Sequence, residues 1–364
     1  MAKTIFIKAG INGMGVLGRR LLRMMFELGY DVNYPADFEI CQINDPNMTA
    51  AQLVYLLKHD TVYGTWGRSI NALTDGNIEI DGKTIPFTHI DFYNKNSWGD
   101  CNWGDVTARN VFDCMGIDRL ETNAVMQTHI DGGAANVFCC GSAMTNEMPS
   151  VVFGINHLST AAIKPQIVGI YNGDTQAAAV IGKLLDDNFR INNAICENIC
   201  SYTNLNNLQD SALNGSANVP QVGRAGAWNI IPLISSAGRK VGLIAAQLNG
   251  KMKGRELRAG TISGAFMNIT ADLQNDFDAG TFYASVKANA AGDLASAYNA
   301  DAMCVGYDED YLSVSSDAIG EPCVIMNTRD SVAITTKMVN VQGLYDAISL
   351  QAGNAILVAT YWNE

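Results

Sequence analysis

Apolar positions along this chain fall in short blocks punctuated by turn residues. Thr4 to Ala9 has the length of a strand, Gly10 to Gly18 follows it, and Leu22, Met25 and Leu28 then recur at helical spacing. Phe38 to Ile43 reads as a second strand ending in Asn44-Asp45. Asn77 to Thr88 reads as a hairpin turning on Asp81-Gly82, and Val106 to Gly116 as a further strand with its exit loop. Lys164 to Thr203 reads as strand, tight turn, long helix and strand. Ile167 and Val168 are β-branched, Tyr171-Asn172-Gly173-Asp174 supplies turn chemistry, and Val180, Ile181, Leu184 and Leu185 recur at helical spacing. Asp174 is placed to cap that helix. Leu344 to Tyr361 reads as a final helix that packs back on the first domain.

The first of these turns carries candidate chemistry. Gly13, Gly15 and Gly18 form G-x-G-x-x-G between a strand and a helix. The first glycine makes the turn, the second admits a pyrophosphate, and the third lets helix and strand pack closely. Asp45 ends the next strand, where a carboxylate meets an adenosine ribose, although it lies 27 residues beyond Gly18 against a usual ~20. The alternative is a glycine turn that is purely structural. A 2′-phosphate would be repelled by Asp45, and no arginine follows it, so NAD is favoured over NADP.

Composition narrows the classes. The 364 residues suggest two domains. No run of ~18 apolar residues predicts a membrane span, and Met1-Ala2-Lys3 leads into a strand without a signal peptide. The net charge of −12 argues against nucleic acid as a partner. Nine cysteines include no C-x-x-C pair and no histidine spacing suited to zinc, so no metal site is expected and buried, reduced thiols in a cytoplasmic protein are. Only 16% of residues are charged, against a usual ~25%, which leaves a surface that resists association weakly.

Taken together, the motifs resemble the glyceraldehyde-3-phosphate dehydrogenase family nearly end to end. Ile11 to Arg19 is similar to I-N-G-F-G-R-I-G-R with Val16 in place of the first arginine, and Asn44-Asp45-Pro46 matches N-D-P. Tyr55 to Trp66, Val151 to His157, Asn229 to Pro232 and Leu248 to Lys251 resemble further family signatures, with His157 read as a structural histidine. The resemblance implies an α/β fold: a Rossmann-type dinucleotide-binding domain over 1–172 and 339–364, and an α+β catalytic-type domain over 173–338 with a large mixed or antiparallel sheet. It also implies a homotetramer, through the 204–224 loop and the 306–320 region. NAD would be bound by Asn12, Gly13, Gly15, Val16, Leu17, Gly18, Asp45, Gly116 and Asn340. Thr203, Ser235 and Arg258 fall on the family's substrate-phosphate positions, and Arg258 reads equally well as an ion-pair partner.

The family's reaction needs a thiolate that adds to an aldehyde, a hydride passed to NAD, and phosphate that releases the thioester. Its nucleophilic cysteine, in S-N-A-S-C-T-T-N-C, falls on Gly173, and its histidine base falls on Cys200. Asp113-Cys114-Met115-Gly116 replaces E-S-T-G, and Cys140 replaces a serine at the nicotinamide end. Loss of both catalytic groups implies a non-catalytic member with weakened NAD binding and a structural, assembly or regulatory role. The second reading is an NAD-dependent oxidoreductase whose chemistry is rebuilt on Cys200 or Cys140.

Overall fold

A computed structural model describes residues 4–116, 121–141, 148–163, 165–211, 220–235, 237–290, 294–299, 302–307, 314–326 and 331–364. Parts of the 204–224 loop and of the 306–320 region, together with Lys164 and Ser236, lie outside the described residues. The chain forms two compact units, Met1–Asn172 with Gln351–Glu364, and Gly173–Leu350.

In the first unit, β1 (Ile5–Asn12) feeds α1 (Val16–Leu28), and β2 (Ala36–Asn44) feeds α2 (Ala50–Lys58). The hairpin turns between β3 (Ile78–Ile80) and β4 (Lys83–Ile85), with Asp81 at φ 50° and Gly82 at φ 80°, the left-handed pair that a two-residue hairpin turn requires. Then come β5 (Phe87–Thr88), β6 (Asn110–Asp113), α3 (Asn123–Asp131), β7 (Asn136–Cys139) and β8 (Ile167–Gly169). Strands β8-β7-β6-β1-β2-β5 make one parallel sheet. Ile7, Ile11, Val111, Phe112, Val137 and Phe138 are buried in it, as expected of a sheet covered on both faces.

The strand expected over Val106 to Gly116 shrinks to β6. Thr107 takes φ 59°, and the turn bonds Thr107 N–H to Gly104 and Ala108 N–H to Trp103 use the backbone groups a longer strand would need.

The second unit opens with α4 (Gly173–Phe189), two residues earlier than a cap at Asp174 implied. Asp174 therefore lies inside the first turn of the helix and not at its cap. Next come β9 (Ile191–Ser201), β10 (Ile231–Leu233), α5 (Ala237–Ile244), β11 (Met252–Ala259), β12 (Ala265–Leu273), β13 (Val305–Tyr307), β14 (Val324–Met326), β15 (Ser331–Ala333) and β16 (Met338–Tyr345). They form an eight-stranded mixed sheet, β10-β11-β9-β12-β16-β14-β13, with β15 also on β16. Side chains alternate along β9 from Ala194 on: Ala194, Cys196, Asn198 and Cys200 are buried, while Ile195 and Ile199 are exposed on the other face.

The last helix, α6 (Ala347–Trp362), starts later than Leu344, because Leu344 and Tyr345 still pair with Phe266 and Ala265. The same pairing places residues 339–350 with the second unit, so the chain returns to the first unit at Gln351 and not at 339. There Gln351 Nε2 donates to the carbonyls of Cys140 and Ile170, and Asn354 bridges Val151 and Phe153. Among the described residues no helix is long and apolar enough to cross a membrane.

Candidate dinucleotide site and catalytic-type pocket

The glycine loop joins β1 to α1 in the first unit. Gly13 sits at φ 95°, and a Cβ there would lie 2.8 Å from the Cys114 carbonyl carbon. A Cβ on Gly18 would collide with the Gly13 carbonyl oxygen. Gly15, the N-cap of α1, is exposed, has no side-chain cap, and a Cβ there would meet nothing within 4 Å. No side chain of the N-cap takes the first-turn N–H groups of this 13-residue helix, and such groups are what a pyrophosphate uses. Gly116, at φ 64°, also borders open space. Val16 is exposed on the first turn and Leu17 is half-buried.

Asp45 holds this loop in place. Its Oδ2 accepts from Met14 N–H and its Oδ1 from Asn47 N–H, each at 2.8 Å. A carboxylate has about four acceptor directions, so room remains for ribose hydroxyls. Asn12 lies under the loop. It is fully buried, donates to Asp113 Oδ2 at 2.7 Å and accepts from Asn44 at 2.8 Å, so its side chain props the loop from beneath.

The same Asp113 oxygen lies 2.9 Å from His129 Nε2, and Trp103 Nε1 lies 3.0 Å from His129 Nδ1. An indole N–H only donates, so Nδ1 is the unprotonated nitrogen and Nε2–H is the donor to Asp113. This Trp103–His129–Asp113–Asn12 chain was invisible in the sequence, because its members are 26, 16 and 101 residues apart. Cys140 is buried beside Cys114, and its hydrogen bond with that thiol, then burial, push it well above the ordinary thiol range. It is a closed, neutral thiol.

The catalytic-type positions belong to the second unit. Gly173 is buried at the start of α4. A Cβ there would lie 2.5 Å from the Cα and 2.8 Å from the carbonyl carbon of Ala347, and closer still to its oxygen. Backbone occupies the place where a nucleophilic side chain would begin.

Cys200 ends the buried face of β9. The parallel pairing of β9 with β11 sets Asn198 beside Glu256 and Cys200 beside Arg258. Cys200 Sγ lies 3.7 Å from Glu256 Oε1, which Arg258 Nη2 also contacts at 2.6 Å. Burial, then the Asp174 charge, push the Cys200 thiol far above its ordinary value, with Arg258 opposing. The structure thus brings Asp174, Cys200 and Glu256 to one place.

Tyr345 Oη lies 2.9 Å from Asp174 Oδ1 and 2.6 Å from Asn198 Oδ1. A phenol has one proton to give. Turning the amide end for end would let Asn198 donate to Oη and leave the phenol proton for Asp174. As placed, Nδ2 of Asn198, which is 1% exposed, has no partner.

The substrate-phosphate positions are committed elsewhere. Arg258 bonds Glu256 and the Ser201 carbonyl, so it is a largely buried ion-pair partner. Ser235 is buried and accepts from Ala237 N–H at the start of α5, and exposed Thr203 closes a turn onto Leu205 N–H. Among the described residues no hydrogen bond or ion pair joins the three. Asn340 likewise does not stand free for a nicotinamide: it donates across the β12–β16 pair to Thr270 Oγ1 at 2.9 Å and accepts from Gln342.

Burial, then Asp174, raise the Glu256 carboxyl above its ordinary range, against the pull of Arg258. A carboxyl raised on folding contributes in full below its unfolded value of about 4.3 and loses that contribution as pH rises through the folded value. The stability of the wild-type chain relative to Glu256→Gln should therefore fall as pH climbs above about 4.3 and then level off. Urea midpoints across pH measure this, and a difference that grows with pH would contradict the burial-driven shift.

The comparisons agree with this architecture. Residues 7–120 match the family described as glyceraldehyde 3-phosphate dehydrogenase, NAD binding domain, and residues 173–347 match its C-terminal domain. The chain is 30% identical over 342 residues to glyceraldehyde-3-phosphate dehydrogenase 2 of Streptomyces avermitilis, covering 93% of each. It is 29% identical to the enzyme of Streptomyces coelicolor, covering 93% of this chain and 94% of that one, and 28% identical to that of Podospora anserina, covering 93% of each. With an NAD-binding domain built on the glycine loop and Asp45, and a C-terminal domain built on α4 and the mixed sheet, the chain belongs to the glyceraldehyde-3-phosphate dehydrogenase family.

Proposed function

We propose that this chain is a non-catalytic member of its family, one that keeps NAD binding in weakened form and serves a structural, assembly or regulatory role. The observation that carries the reading is the close approach of the Ala347 backbone to Gly173, which leaves no space for a nucleophile at that position. The protonated, buried state of Cys200 supports it, and that of Cys140 removes the other thiol on which rebuilt chemistry would rest. Weakened binding follows from Val16, Met115 and Cys140, which replace polar family residues at ~0.5–1.5 kcal/mol for each hydrogen bond lost. Calorimetry is expected to give NAD and ADP-ribose similar affinities, because the adenosine end does most of the binding. An NAD affinity far above that of ADP-ribose would overturn the weakened nicotinamide end, and turnover would overturn the non-catalytic reading.

The remaining role is self-association, as a homotetramer with further assembly at high concentration. Ile195 and Ile199 on the open face of the sheet, with Trp228, Ile230 and Ile234, are exposed apolar side chains suited to contacts. Light scattering across a concentration series is expected to give a mass of four subunits or more; a stable monomer would refute this. All nine cysteines are free, in keeping with a cytoplasmic site of action.

A further inference from the structure

We propose that Asp174, Cys200 and Glu256 form a binding site for a divalent cation of zinc's borderline softness. One ligand atom from each of the three lies within 4.8 Å of the other two. The Cys200 Sγ to Glu256 Oε1 distance is 3.7 Å. Metal–sulfur and metal–oxygen bonds of about 2.3 and 2.0 Å at a tetrahedral angle need an edge of about 3.5 Å, so this edge is nearly formed. A thiolate with two carboxylates suits zinc, whereas magnesium and calcium prefer oxygen alone.

Charge points the same way. Asp174 and Cys200 are buried, and the Glu256 side chain is 12% exposed, with Arg258 the cation in contact with the group. Two carboxylates against one guanidinium leave an excess negative charge in a poorly solvated space. A divalent ion that displaces the Cys200 proton to solvent balances the set: three negative ligands stand against the ion's two charges and the one of Arg258. Glu256 Oε1 keeps a lone pair for the ion beside its bond to Arg258.

Asn198 supplies an observation separate from the cluster. It stands beside Glu256 in the β9–β11 register, its amide touches Tyr345, and Tyr345 touches Asp174. One polar atom of this buried amide has no partner. Three protein ligands leave the fourth position of a tetrahedral ion open. Sequence spacing hid this site, since the ligands come from a helix start and two strands.

The test uses the full chain and is separate from any turnover assay, so its failure leaves the non-catalytic reading intact. Protein expressed with added zinc and then desalted is expected to carry about one zinc per chain by plasma mass spectrometry. Stripped with chelator and reloaded with cobalt(II), it is expected to show a thiolate-to-cobalt charge-transfer band in the near ultraviolet. Cys200→Ser should abolish that band, and Asp174→Asn and Glu256→Gln should each weaken cobalt binding at least about tenfold, with circular dichroism unchanged. Zinc below about a tenth per wild-type chain, or a band that persists in Cys200→Ser, overturns the proposal. The wild-type zinc content decides even if a variant fails to fold.

Discussion

Given glyceraldehyde 3-phosphate, NAD and inorganic phosphate, the purified chain is expected to reduce NAD at less than about 10⁻⁴ of the rate of a family member with both catalytic groups. The covalent route needs a thiolate, and Gly173 offers none. The base position holds Cys200, whose thiol burial keeps protonated and which cannot accept a proton as imidazole does. Losing a covalent nucleophile and its base typically removes about 10⁶ in rate, on the order of 8 kcal/mol of barrier. Asp174 stands next to the vacated position, but it accepts the Tyr345 hydroxyl from within the first turn of α4. The assay follows absorbance of reduced NAD, with phosphate omitted as control. Phosphate-dependent turnover above the stated level would require a nucleophile elsewhere in the chain.

The second large effect is structural. Gly173→Ala is expected to lower stability by more than about 3 kcal/mol, beyond ordinary overpacking, because the new Cβ meets backbone and not a flexible side chain. Ala347 has little freedom to retreat. Its neighbour Asp346 is fully buried, takes the Gly320 N–H and the Ser349 hydroxyl, and accepts from the Ile348 N–H at the start of α6. Gly15→Ala is the matched control: a Cβ there meets nothing, and a change within about 0.5 kcal/mol is expected. Denaturant midpoints compare the two, and equal midpoints would show that the approach at Gly173 is looser than the structure has it. By the same geometry, Gly173→Cys combined with Cys200→His should fail to restore turnover, since the new thiol has no room.

Much of the framework could be read locally. Asp81-Gly82 declared a tight hairpin, because few residue pairs tolerate left-handed backbone twice in succession. Gly13, Gly15 and Gly18 declared a strand-to-helix turn at which backbone comes close to backbone or to a ligand. These features depend on a residue and its neighbours in the chain, and residue type is sufficient to specify them.

What tertiary structure alone decided is who meets whom across the chain. The β9–β11 register sets Cys200 beside Arg258 and Asn198 beside Glu256, and that pairing, not any motif, makes the polar cluster at Asp174. Arg258 was readable as a phosphate ligand or an ion-pair partner, and only the placement of Glu256 resolved it. The start of α6 at Ala347 closes the space at Gly173 from 174 residues away. The partners of the Asn12 and Asn340 side chains, Asp113 and Thr270, lie 101 and 70 residues away in the chain. Side-chain type limits what a residue can bond, but which partner lies within 3 Å is set by strand order and crossover, which no stretch of neighbouring residues encodes.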